Sequence, residues 1–454
     1  MKKKRSLHLL LVASSLILVA TTAVGQTEAK PAKSAPHLTL SEAIDLAFAQ
    51  NPDLTAAEAR IGQAEAKVAE VASGFYPKLT SRVGYDYTNN PALAFSYIVA
   101  QRRFNSADLS SINNPGFVSN FRPEVIGTIN LYRGGQDDYL KQAAELGVKA
   151  SELEHAALRN RLAAAVTSAY YAVISAPKQF EVAQKSVLTI AHEIGLTREK
   201  VLEGTALRGD VLSLEVREKS SRESELQARN NITLSKSALK ALLGEQQKEL
   251  PEVIDTDLPP PKAGNKLNDA LDAAYSHRPE IEAAAHQVQI RQHELDAAKG
   301  GMLPRVNAFA SYGSNSRTLD ANTYQGNASL GINAEFDIYA GGATSAQISG
   351  AERRLVEAQA VEQKTRLEVE NEVRQTHSTF EQAIERLKVA DAAATAADEA
   401  LRLVSEQYHG GTATVTRYLE AETDRATAQM RQIVSRFETE VAEAQLLQAQ
   451  GHWR

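Results

Sequence analysis

Two periods of apolar residues take turns along this chain. A seven-residue period runs through Val166, Val173, Phe180, Val187, Ile194 and Val201. The same spacing recurs at Val373, Phe380, Leu387, Ala394, Leu401 and Tyr408, with Thr376, Ala383, Ala390, Ala397 and Val404 each following three residues later. Every position of the second series lies 207 residues after its counterpart in the first. A heptad seam with interspersed small residues predicts long coiled-coil helices. The second seam falls in Gly342 to Gly411, about 70 residues without a proline. As a helix, that stretch is on the order of 100 Å long.

Between the helical stretches the period drops to two. Ala328, Leu330, Ile332, Ala334, Phe336 and Ile338 alternate with Asn327, Ser329, Gly331, Asn333, Glu335 and Asp337. Leu79, Ser81, Val83, Tyr85 and Tyr87 alternate with Thr80, Arg82, Gly84 and Asp86, and weaker alternation marks 124–132 and 305–312. This predicts two strands in each half of the chain, joined by a loop. One apolar and one polar face suit either a soluble hairpin or a barrel wall between lipid and lumen. Four strands cannot close a barrel, and lipid tolerates no open strand edge. The barrel reading therefore requires copies of the chain to share one barrel.

The duplication extends past the seams. Leu40-Ser41-Glu42-Ala43-Ile44 matches Leu267-Asn268-Asp269-Ala270-Leu271 at an offset of 227, which also places Pro52 on Pro279 and Pro77 on Pro304. Tyr132-Arg133-Gly134-Gly135 matches Tyr339-Ala340-Gly341-Gly342 at an offset of 207. The first copy thus carries 227 − 207 = 20 extra residues, assigned to the loop 88–123. Within it, the apolar piece Leu93–Val99 packs on the barrel rim or folds on the loop itself.

The organisation that follows has four parts. Residues 1–25 read as a signal peptide, because Lys2-Lys3-Lys4-Arg5 precedes an apolar run from Leu7 to Ala23. The first repeat spans 26–250, with helices in 41–76, strands in 78–132 and helices in 134–243. A Pro-rich linker covers 251–266. The second repeat spans 267–450, with helices in 267–303, strands in 305–339 and helices in 342–450. The returning helices 206–243 and 412–450 and the opening helices 41–76 and 267–303 are expected to stack end to end, each pair making a strut as long as a descending helix. Pro177 predicts a kink in the first descending helix. Glu215 and Glu422 occupy the same position in both copies and read as helix-surface groups.

Composition narrows the function. A net charge of −6 gives no basis for nucleic-acid binding. The absence of cysteine excludes disulfides, thiolate zinc sites and a lipidated N-terminal cysteine. His286 and His293 lie seven apart on one helix face without the closer partners a metal site uses. No catalytic set and no phosphate-binding glycine loop appear, so the expectation is a protein that is not an enzyme and needs no cofactor or metal.

The helix turns are Gly204-Thr205-Ala206-Leu207-Arg208-Gly209-Asp210 and Gly410-Gly411-Thr412-Ala413-Thr414. With the Tyr-x-Gly-Gly strand exits and the duplicated layout, they make the chain resemble the TolC-type outer-membrane efflux family over nearly all of its length. The resemblance implies a fold class that is mainly α with a transmembrane β-barrel. In it, two tandem helix–β-hairpin–helix–helix repeats give a long periplasmic coiled-coil tunnel and a barrel shared by a homotrimer, four strands per chain. It implies a passive exit duct in the bacterial outer membrane, docked on a periplasmic adaptor and an inner-membrane pump of RND or ABC type. It places adaptor docking at the turns Gly204, Thr205, Gly410, Gly411 and Thr412. By the same resemblance, Asp210 and Tyr408 match a closing pair at the tunnel mouth, and Arg417 and Glu420 stand at lumen positions. From spacing alone, Tyr408 is also the last seam residue and Arg417–Glu420 also a solvated i,i+3 pair. Ala413 stands where the family has a latching arginine. The competing reading is a periplasmic coiled-coil adaptor or scaffold.

Overall fold

The computed structural model describes residues 37–244, 252–253, 266–320 and 323–453. The expected signal peptide 1–25 and most of the linker 251–266 lie outside the described residues. The first half of the chain forms β1 (His37–Leu38), α1 (Leu40–Gln50), α2 (Pro52–Ala72), β2 (Lys78–Thr88), α3 (Pro91–Ala100), β3 (Val118–Arg133), α4 (Gln136–Leu202) and α5 (Arg208–Leu243). The second half forms β4 (Glu252–Val253), α6 (Leu267–His277), α7 (Pro279–Gly300), β5 (Arg305–Ser314), β6 (Gly326–Glu335), α8 (Ala343–His409) and α9 (Val415–Ala449). Adding 227 to the bounds of α1 gives those of α6, and adding 207 to those of α4 gives those of α8.

The helices pack side by side around the long helix α4. Helix α4 packs against α2, α5, α7 and α9, α7 and α9 also border α8, and α5 touches α9 near the interhelical turns. The long helices α4 and α8 are each 67 residues and start at left-handed glycines, Gly135 and Gly342. Pro177 lies inside α4 without ending it. The lost backbone bond there is outweighed by packing, since Ile174, Ser175 and Ala176 beside it are buried.

The end-to-end stacking differs from the sequence expectation in one respect. Each opening stretch is broken at its proline, because the residue before a proline is driven out of the helical region. Asn51 and Arg278 accordingly have extended backbones, with ψ of 125° and 115°. Helices α1 and α6 turn aside and pack on α4 and α8. Only α2 and α7 extend the returning helices, and their starts abut the ends of α5 and α9. Asn51 Oδ1 caps α2 by accepting the Asp53 N–H at 2.8 Å, while its Nδ2 donates to Leu242 O at 2.9 Å. One amide thus satisfies the orphan groups of two helix ends. The twin position, Arg278, donates to Ala449 O at 3.3 Å and pairs with Glu372 at 2.8 Å. Gly244 and Gly451 sit at these junctions, where an added Cβ would lie 2.4 Å from Gln50 O and 2.7 Å from His277 O.

The core is also duplicated. One cluster gathers Ala43, Ala47, Leu54, Leu162, Val166, Val173 and Leu239. Its twin gathers Ala270, Ala274, Ile281, Val369, Val373, Phe380 and Leu446. The first three pairs keep the offset of 227 and the other four that of 207, so the two halves of each repeat meet at the junction. Strands β1 and β4 pair in parallel, and Leu38 and Val253 join the first cluster.

The four longer strands form one antiparallel sheet in the order β2-β3-β5-β6. Leu79, Val83 and Tyr85 pair with Gly127, Pro123 and Phe121. Ala310 and Ala308 on β5 pair with Leu330 and Ile332 on β6. These residues share one side of the sheet, the side predicted to be apolar. Strand β6 stops at Glu335, short of the expected Ile338. Residues 129–133 of β3, beyond the reach of β2, are held by β5, whereas among the described residues no strand pairs with 336–340. The expected loop 88–123 is largely structured: it contains α3, a tight turn at Ser106–Ser111 and the start of β3.

Candidate functional site

At the far end of the helices the two interhelical turns are built identically. In the first, Thr205 N–H and Oγ1 both donate to Lys200 O, at 2.8 and 3.1 Å. In the second, Thr412 N–H and Oγ1 both donate to Gln407 O, at 2.9 and 3.0 Å. Each turn needs a left-handed residue, supplied by Gly204 (φ 77°) and Gly411 (φ 76°). Gly410 has an ordinary φ of −78° and serves as the cap of α8.

The two hairpins are joined just above these turns. Tyr408 Oη lies 3.1 Å from Thr197 Oγ1, and His409 Nε2 lies 3.1 Å from Glu193 Oε2. Tyr408 also stacks on Tyr418, with ring centroids 5.2 Å apart, and Lys200 Nζ lies over its ring, 5.1 Å from the centroid. Burial pushes the hydroxyl pKa values of Tyr408 and Tyr418 up, so both stay protonated. Glu193 is 2% exposed, and its Oε1 has no hydrogen-bond partner.

Asp210 reaches the same tip but takes a different partner from the one the resemblance implies. Its carboxylate accepts the Leu207 N–H at 3.2 Å, capping α5. Arg417 and Glu420 pair with each other at 3.3 Å and are 58% and 57% exposed. Sequence reasoning missed Glu193, Thr197 and His409. A signal for Thr197 existed, because it stands at a seam position whose twin is Val404.

Glu422 corrects a second expectation. It is 0% exposed, accepts the Ser186 hydroxyl at 2.6 Å, and has Arg217 at 3.8 Å and Arg425 at 3.9 Å. Its twin Glu215 pairs with Arg198 on the surface at 2.6 Å.

At the other end, the sheet shows its apolar side bare. Leu79 is 76% exposed and Leu330 87%, with Val83, Tyr85, Tyr87, Val125, Tyr312 and Ile332 also exposed. A soluble hairpin buries that face, whereas a barrel wall presents it to lipid. The opposite side carries Arg82 paired with Glu124 at 3.4 Å, and Arg305 paired with Asp337 at 3.0 Å. Among the described residues no helix is long and apolar enough to cross a membrane.

The model of the outer membrane efflux protein family matches residues 43–245 and 270–452, one stretch for each repeat. The chain belongs to that family. The outer membrane efflux protein BepC of Brucella suis is 25% identical to it over 73% of this chain and 78% of its own length. The outer membrane protein TolC of Vibrio cholerae is 23% identical over 68% and 72%. The solved outer membrane protein VceC of Vibrio cholerae shares the fold, with a TM-score of 0.75, 20% identity and coverage of 91% and 96%. This efflux protein is thus an outer-membrane channel with its helical part in the periplasm, and the adaptor reading is set aside.

Proposed function

We propose that three copies of this efflux protein close one barrel and one helical tunnel, forming the passive exit duct of a tripartite efflux or type I secretion system. A periplasmic adaptor docks on the turns at Gly204-Thr205 and Gly410-Gly411-Thr412, and an inner-membrane pump of RND or ABC type supplies the energy. The observation that carries this reading is the bare apolar face running across β2, β3, β5 and β6, with strand edges open at both ends. Such a sheet is unstable in water and in lipid alike until neighbours pair its edges. The mouth is held shut by Tyr408–Thr197 and His409–Glu193, with Asp210, Arg417 and Glu420 around the same opening.

Membrane fractionation followed by sizing in mild detergent tests the assembly. A trimer recovered only with detergent from the outer membrane is the expected result. Recovery as a monomer, or from the periplasm without detergent, defeats the reading.

A further inference from the structure

The extra residues of the first repeat fold back over the sheet, and the contacts of α3 fall on one side of it. Tyr97 on α3 lies close to the Asp86 carboxylate. The Gln101 amide donates to Asn120 Oδ1 at 3.1 Å and to Ser119 O at 2.8 Å. Asp86 and Asn120 face each other across β2 and β3, one register step from the Tyr85–Phe121 pair, and therefore on the polar side of the sheet. Gln101 and Asn120 are both buried. A helix thrown over the rim toward lipid would touch Tyr85 or Phe121 instead.

The end of α3 is clamped to the second hairpin. Arg102 has a φ of 56°, the one positive value outside glycine among the described residues. Its guanidinium donates to Gly326 O at 3.0 Å, and Gln325 Nε2 donates to Gln101 O at 3.0 Å. A left-handed arginine is strained and persists only where contacts hold it. Residues 91–100 carry no charge, and Leu93 and Val99 remain exposed in the single chain.

We propose that the three copies of α3 come together inside the outer end of the shared barrel and form an apolar constriction that filters what leaves the duct. The inference rests on the trimeric-barrel reading above. Three sets of four strands, spaced about 4.8 Å and tilted about 40°, close a ring about 24 Å across. Three helices each about 10 Å wide nearly fill such a ring. Small or apolar solutes pass between the uncharged faces, and bulky hydrophilic molecules are held back.

The chain has no cysteine, so Thr128→Cys introduces a single thiol. Thr128 lies opposite Lys78 and Phe309 on the lumen side of the sheet. Whole cells are treated from outside with a small charged maleimide and with a maleimide on a bulky polyethylene glycol. The bulky reagent is expected to react about tenfold faster once residues 89–106 are replaced by a short Gly-Ser turn, while the small reagent reacts readily in both forms. Tyr97→Ala with Gln101→Ala, which keeps the loop length, is expected to act in the same direction if the shortened chain does not assemble. Equal rates of bulky labelling with α3 held, loosened or removed overturn the constriction. Failure of even the small reagent to reach Thr128→Cys overturns the barrel reading itself, and the constriction with it.

Discussion

Tyr408 Oη and Thr197 Oγ1 stand 3.1 Å apart, on helices that belong to different repeats. Thr197 is fully buried, so losing its partner leaves an unsatisfied hydroxyl. Tyr408→Phe combined with Glu193→Gln is expected to weaken closure by about 2 kcal/mol, roughly a 30-fold shift toward the open mouth. Single-channel recording in planar bilayers reads this as a higher open fraction. Asp210→Ala, which removes only a helix cap, is expected to leave the open fraction unchanged and lower stability by about 1 kcal/mol. The reverse pattern would return the gate to Asp210.

The helix junctions set a second expectation. Gly244→Ala and Gly451→Ala each drive a Cβ against a backbone carbonyl. Each is expected to cost about 2–4 kcal/mol by denaturant titration of the trimer. Gly62→Ala in α2 meets no atom within 4 Å and is expected to stabilise by up to about 1 kcal/mol. Equal effects at the three sites would mean that the junctions carry no special packing.

The sheet predicts a difference between its two sides. Leu330→Arg puts a charge on the bare face and is expected to cost about 2–4 kcal/mol for folding into vesicles. Asn333→Arg, three residues on and facing the other side, is expected to cost less than about 1 kcal/mol. Folding yield against urea concentration, read by gel mobility without heating, separates the two.

Glu440 predicts a pH dependence. Its carboxylate lies 3.4 Å from Tyr171 Oη, and burial, with Glu443 nearby, pushes its pKa up to about 7. The folded chain then binds a proton that the unfolded chain releases above its ordinary value of 4.5. Stability from this group is therefore full below pH about 4.5 and is lost as pH rises through about 7. Glu440→Gln is expected to gain up to about 3 kcal/mol at pH 8 and little at pH 4. Thermal melts at the two pH values check the sign.

Much of the fold was legible in the sequence because duplication supplied a second reading of each element. The seams, the four strands and both offsets appear in the structure, since a heptad and a two-residue period each specify one face. The junctions were half legible: Pro52 and Pro279 marked the breaks, but not that α1 and α6 turn aside. Helix α3 was missed although Asn90-Pro91 is a helix start, its side chain accepting the Ala92 and Leu93 N–H groups. Read in isolation, Asn-Asn-Pro looks like a turn. The burial of Glu422 was beyond reach, because its position matches that of Glu215. Only the three-dimensional packing separates them: α9 is held by α4, α5 and α8, whereas α5 packs mainly on α4.

The open edges of β2 and β6 have a genetic consequence. A copy that cannot complete its share of the ring spoils the two sound copies beside it. Expressed in equal amounts with the normal protein, such a variant leaves only about one assembly in eight intact. Lesions in these strands should therefore behave as dominant, whereas loss of the whole gene product should be recessive.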